Sequence, residues 1–130
     1  MSDTNISRAV TSQDFNNDSG KYQEILSLNR EAPARVSYSA TLSVPDTFND
    51  TVGAGTEFEI RVLDSSDGST KVIAQGVYTV AAKGQRIPTT LVAFFPGFQG
   101  ATYTVQCFFR SFNGGTSTVV KGASLTLLQV

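Results

Sequence analysis

The sequence contains no histidine and no tryptophan, a single cysteine, and charged residues at only 16% of its 130 positions, where about 25% is usual. Each shortage excludes something. Without histidine there is no Ser-His-Asp or Cys-His catalysis, no common zinc site, and no side chain that ordinarily titrates near neutral pH. With Cys107 alone, no intrachain disulfide forms. It sits in an alternating apolar run and reads as a buried, inert thiol. The formal net charge is −1, and no run of Lys or Arg supplies an electrostatic footprint for nucleic acid. Residues 1–20 carry one basic side chain, Arg8, so a basic genome-packaging arm is not expected. No apolar run approaches the length of a membrane span. No apolar segment of signal-peptide type opens the sequence, so synthesis in a host cytoplasm is expected. No cofactor is expected.

In place of charge stand Ser, Thr, Asn, Gln and Gly. A polar but weakly charged composition is common among secreted, adhesive and virion β-proteins. The hydrophobic share of 40% is enough for a core, and a chain of this length folds as one domain without staples. Residues 1–20 are polar and irregular and read as an extended N-terminal arm. Its few apolar residues, Ile6, Val10 and Phe15, are candidates for docking into an assembly. Residues 21–130 read as the folded domain.

From Tyr22 onward the dominant period is two. In 35–44, Val36, Tyr38, Ala40, Leu42 and Val44 alternate with Ser37, Ser39, Thr41 and Ser43, one face buried and one wet. Phe58, Ile60 and Val62 do the same in 57–63, opposite Glu57, Glu59 and Arg61. Asp67-Gly68 marks a hairpin into a strand over 71–82. Gly76 within that strand signals a bulge or a close backbone approach. Residues 86–95 are apolar on both faces, with Ile87, Leu91, Ala93 and Phe95 on one and Val92 and Phe94 on the other, as in a strand covered on both sides. A turn is expected at Pro96-Gly97-Phe98-Gln99-Gly100, then a strand over 101–110. A last strand over 116–130 is expected to break near Gly122. Seven or eight strands and no period of 3.6 define an all-β protein: a single antiparallel β-sandwich, jelly-roll-like.

Few residues in this pattern offer chemistry. Glu57 and Glu59 share a strand face, as a glycosidase pair would, but next to Arg61 they read as a solvated face. Asp14, Asn16 and Asp18 have the 1-3-5 spacing of a calcium loop, but Ser19 and Ile25 stand where the loop needs Gly and Glu. No enzyme and no metal site are expected. The sequons at Asn5, Asn17 and Asn49 read as accidental. Phe94, Phe98 and Phe108 exceed what a small core needs. With Val92, Leu128 and Val130 they are the expected anchors of an oligomer interface.

The segments Thr102-Tyr103-Thr104-Val105-Gln106-Cys107-Phe108-Phe109-Arg110 and Gly122-Ala123-Ser124-Leu125-Thr126-Leu127-Leu128-Gln129-Val130 resemble those of small trimeric jelly-roll heads. That group comprises tumour-necrosis-factor and C1q-like domains and many phage fibre, head-fibre and capsid-decoration domains. In it, a final strand of the second form lies in the inner sheet near the trimer axis. The resemblance implies a homotrimer, a place in the virion, other virion proteins as partners, and host attachment. A carbohydrate- or ligand-binding module that recognises surface glycans, as adhesins and lectins do, is the alternative.

Overall fold

The computed structural model describes residues 5–130. Eight strands of five or more residues build it: β1 (Ile6–Val10), β3 (Gln23–Glu31), β4 (Val36–Val44), β6 (Gly55–Asp64), β7 (Thr70–Thr79), β8 (Thr89–Gly97), β9 (Thr102–Phe112) and β11 (Ser124–Gln129). Three more have three residues each: β2 (Phe15–Asn17), β5 (Thr47–Asn49) and β10 (Ser117–Val119). The eight long strands form two four-stranded antiparallel sheets, ordered β1-β11-β4-β8 and β3-β9-β6-β7. The short ones make a small third sheet, β2-β10-β5. Two four-stranded sheets with interleaved strand order are the arrangement of a jelly roll.

The period-2 pattern explains the core. Tyr38, Ala40, Leu42 and Val44 of β4 and Leu125 and Leu127 of β11 face across to Phe58 and Ile60 of β6 and Val105, Cys107 and Phe109 of β9, all 1% exposed or less. Each large side chain so buried contributes about 1.5–3 kcal/mol. Burial raises the Cys107 thiol to about 12, with the charge of Glu24 adding to the shift, so the group is inert at neutral pH.

The expected seven or eight strands are the eight long ones, and the three short strands carry no periodic signal of their own. Two expectations need correction. Residues 1–4 lie outside the described residues, but the rest of the expected arm does not stand apart. Ile6–Val10 pairs with β11 in full register, Ile6 opposite Leu128 and Val10 opposite Ser124. Phe15–Asn17 pairs with β10. Without β1, one edge of β11 would present unpaired N–H and C=O groups. The boundary between arm and domain at residue 20 therefore does not hold for residues 5–20. Next, the turn expected at Pro96-Gly97 is strand. β8 is an edge strand and tolerates a proline that has no N–H to donate, so the turn falls at Gln99-Gly100. Of the two readings of Gly76, the bulge is not the one: the bulge in the β6–β7 hairpin lies at Ile60/Arg61, opposite Ala74 and Val72. Gly76 serves the other reading. A Cβ there would stand 2.7 Å from Leu91 Cδ2 of β8, because the edges of the two sheets approach closely at this point.

A buried polar cluster ties the small sheet to the large one. The Asn49 side chain is fully buried. Its Nδ2 donates to the Gly55 carbonyl (2.8 Å), the Gly114 carbonyl (3.1 Å) and Ser117 Oγ (3.2 Å), and its Oδ1 accepts the Thr51 N–H (2.9 Å). Ser117 Oγ also donates to the Gly55 carbonyl (2.8 Å) and lies 2.8 Å from Thr56 Oγ1, whose one hydroxyl proton is shared between Ser117 Oγ and Tyr78 Oη, the latter also at 2.8 Å. Asn49→Ala leaves buried partners unpaired and opens a void, so it should lower unfolding free energy by about 3 kcal/mol in urea titrations. The same burial explains why Asn49 is not an open glycan acceptor. Asn17 is held similarly, its amide donating to the Lys21 and Phe109 carbonyls.

Candidate functional site

The register of the first sheet decides what lies on its outer face. One row runs Ile6–Leu128–Ser39–Phe94, the next Arg8–Thr126–Thr41–Val92, and the third Val10–Ser124–Ser43–Thr90. Val130 continues the face beside Ser37, to whose carbonyl its N–H donates (2.9 Å), and Pro96 stands opposite Ser37. The central columns, on β11 and β4, carry mostly Ser and Thr. The outer columns, on β1 and β8, carry Ile6, Val10, Val92 and Phe94. The face is therefore a trough floored by small hydroxyl side chains between two apolar ridges.

This face is open. Phe94 is 70% exposed, Val130 65%, Ile6 56%, and Val10 and Val92 52% each. Arg8 is the one charged side chain that the four strands place on it. Scattered exposed apolar residues are normal, but five on one sheet face with a single charge among them, set in two ridges on either side of the trough, mark a candidate contact surface.

The outer face of the second sheet differs. Arg110 pairs with Glu57, its Nε donating at 2.7 Å. Arg61 pairs with Glu59, and Gln75 Nε2 donates to Glu59 at 2.8 Å. The Arg61 guanidinium lies 4.0 Å over the Phe108 ring and the Arg110 guanidinium 4.4 Å over Tyr22. Gln106 donates to Glu24 and Thr104 to Asn29. Val72 and Val77, on the edge strand β7, are its exposed apolar residues. Its charges and rings largely satisfy one another. Glu57 and Glu59, the glycosidase-like pair, are both engaged by arginine.

The Tyr22 hydroxyl is buried beneath this network without a hydrogen-bond partner. Burial, then the charges of Glu59 and Glu57, raise it from 10.0 to about 12, against the lowering effect of Arg110. The folded state thus holds this proton more tightly than the unfolded chain does. The associated stability is fully present below pH 10.0 and is lost as pH rises through about 12. The urea midpoint should fall over that interval, and fall less in Tyr22→Phe.

The structure brings together most of the residues expected to act by contact, but regroups them. Val92, Phe94, Leu128 and Val130, expected at an oligomer interface, share one face with Ile6 and Val10, expected on a separate arm. Phe98 does not join them; it lies at the β8–β9 turn, 51% exposed, under the Arg35 guanidinium. Phe108 is on the opposite sheet, half-buried under Arg61, so it is not a free anchor. Its ring is covered by a cation of its own chain. Phe15 packs against the core beside the small sheet. The trough residues Ser39, Thr41 and Ser43 were legible only as a wet strand face. No periodicity shows that apolar ridges flank them, because the ridges come from strands distant in sequence.

The calcium-like spacing does not converge. Asp14 Oδ1 accepts the Lys121 N–H and Asn16 Oδ1 the Thr118 hydroxyl. Among the described residues no group of three or more His, Cys, Asp or Glu is placed to hold a metal ion. All four tyrosines are buried or half-buried, with Tyr38 and Tyr103 packed in one aromatic cluster with Phe95.

The fold defines the class: an antiparallel β-sandwich of jelly-roll type. No family model matches the chain and no curated protein matches it. Solved structures do. T=1 particles derived from infectious bursal disease virus match with a TM-score of 0.63 and 14% identity over 94% of this chain and 31% of that one. The Gt strain of the same virus gives 0.61 and 13% over 94% and 32%. A CocE/NonD family hydrolase from Staphylococcus aureus gives 0.51 and 12% over 94% and 34%. The chain spans about a third of the length of each. At these identities the likeness is one of fold, and the same fold occurs in virus particles and within a hydrolase.

Proposed function

We propose that this chain is a non-enzymatic structural component of a virion, serving as a capsid, decoration or fibre domain, and that it assembles with copies of itself. The observation that carries the proposal is the outer face of the β1-β11-β4-β8 sheet: apolar ridges, a hydroxyl-floored trough and one charge. From strand spacing and rise the face covers roughly 600 Å², close to the roughly 800 Å² per partner of a standard interface. The β8 ridge of one copy, led by Phe94, fits the Ser39–Thr41 trough of the next. Ridge and trough lie side by side on the same face, and a trimer is favoured on the resemblance of the final strands to trimeric jelly-roll heads.

The likeness in fold to bursal disease virus particles and the low-charge composition support the virion reading. Other virion proteins are the further partners, and attachment to a host surface is the downstream role. The test is solution mass. Light scattering coupled to gel filtration should give a trimer or a higher closed assembly, and a strictly monomeric species at high concentration would overturn the reading.

A further inference from the structure

The two sheets part along one side of the sandwich, where their edge strands β7 and β8 lie against each other. Between the start of β7 and the end of β8 they leave a cavity of about 90 Å³ that opens to solvent. Phe95 and Tyr103, both buried, line it with Ile73 and Phe98, and the polar groups at it include Lys71 and Asp64. About three waters would fill that volume, or one branched group of four carbons.

The polar groups define what such a ligand must carry. Asp64 Oδ1 already accepts the Ser66 N–H (2.9 Å) and hydroxyl (2.7 Å). The donors are not so occupied. Lys71 is exposed and forms no salt bridge among the described residues. The Tyr103 side chain is 2% exposed; its hydroxyl accepts the Phe98 N–H (2.8 Å) and donates to no described group. The Arg35 guanidinium, 5.6 Å above the Phe98 ring, adds a second positive charge beside the cavity. An apolar hollow with two spare donors, one of them the Lys71 ammonium, wants an apolar tail that ends in an acceptor.

We propose that this cavity binds a short branched-chain monocarboxylate. The tail packs on Ile73, Phe95 and Phe98. The carboxylate meets the Lys71 ammonium, and the Tyr103 hydroxyl supplies a second donor. This site meets the self-assembly face only at Pro96 and does not rest on that reading.

The test is a titration of the full chain with isovalerate, followed by the amide resonances of Ile73, Phe95 and Phe98. Isoamyl alcohol and isoamylamine are the controls of equal tail and different head. Isovalerate should shift those resonances saturably, the alcohol at least fivefold more weakly, and the amine not at all. Lys71→Met changes an exposed side chain and should leave the fold intact while weakening isovalerate at least fivefold. Tyr103→Phe should weaken it by a smaller factor. Absence of saturable shifts, equal binding of the amine, or unchanged affinity in Lys71→Met would overturn the proposal.

Discussion

Gly55→Ala should remove at least about 4 kcal/mol of unfolding free energy, most of the margin of a domain with the usual 5–15 kcal/mol. The reason is space. Gly55 starts β6 opposite Thr79 of β7, and a Cβ on it would lie 1.6 Å from the Tyr78 carbonyl oxygen. That atom is backbone and cannot step aside as a side chain does. Relief requires β6 and β7 to separate, which pulls the Gly55 carbonyl from Asn49 and Ser117 and loosens the small sheet. Gly53→Ala is the control. Gly53 has a φ of +84° with nothing within 4 Å of an added Cβ, so it should cost only the 1–2 kcal/mol of a left-handed alanine. Urea titrations of the two variants should differ by at least 2 kcal/mol. Equal losses would mean that β6 and β7 can part at this point without penalty.

Phe94→Asp should convert the assembled protein to monomer without changing its fold. Phe94 is the most exposed large apolar residue of the proposed self-assembly face at 70%, and it is not among the residues packed against the core. In the proposed assembly the ring fills a neighbour's trough. Aspartate there loses the apolar contact and buries a charge with no partner, about 3 kcal/mol or more per interface. That corresponds to a dissociation constant raised more than a hundredfold. Light scattering should show a single monomeric mass, with circular dichroism and urea midpoint within error of the parent. Val77→Asp is the matched control. Val77 is 53% exposed on the opposite sheet, so the change should leave the mass unaltered. If Val77→Asp dissociates the assembly and Phe94→Asp does not, the contact lies on the other face.

Local period carried the sequence reading a long way. Strict alternation in β4, β6 and β9 identified each inward residue, from Tyr38 to Phe109, and Asp67-Gly68 located the β6–β7 hairpin. What stayed hidden was set by distant neighbours. Ile6–Val10 has the alternation of a short strand, but only the open edge of β11, more than a hundred residues later, gives it a partner. The double apolarity of 86–95 signalled cover on both sides; in the described chain one side is core and the other faces solvent. Phe108 looked surplus because the sequence does not show that Arg61, on another strand, lies across its ring. The interaction face was half legible for the same reason. Its ridges were visible as apolar positions, but only the register puts Ile6 and Phe94 on either side of one trough.

The interleaved strand order also constrains how the molecule is made. Among the described strands β6 and β7 are the only hydrogen-bonded neighbours that are consecutive in sequence. Every other pairing spans a long loop, whose closure entropy must be met before contacts offset it. On the ribosome, β1 emerges first, and its one partner, β11, emerges last. β3 waits for β9, and β2 for β10. The nascent chain therefore carries unpaired strands until β11 has emerged. Such a chain should fold slowly, outward from the β6–β7 hairpin, and it should depend on protection from aggregation in the interval.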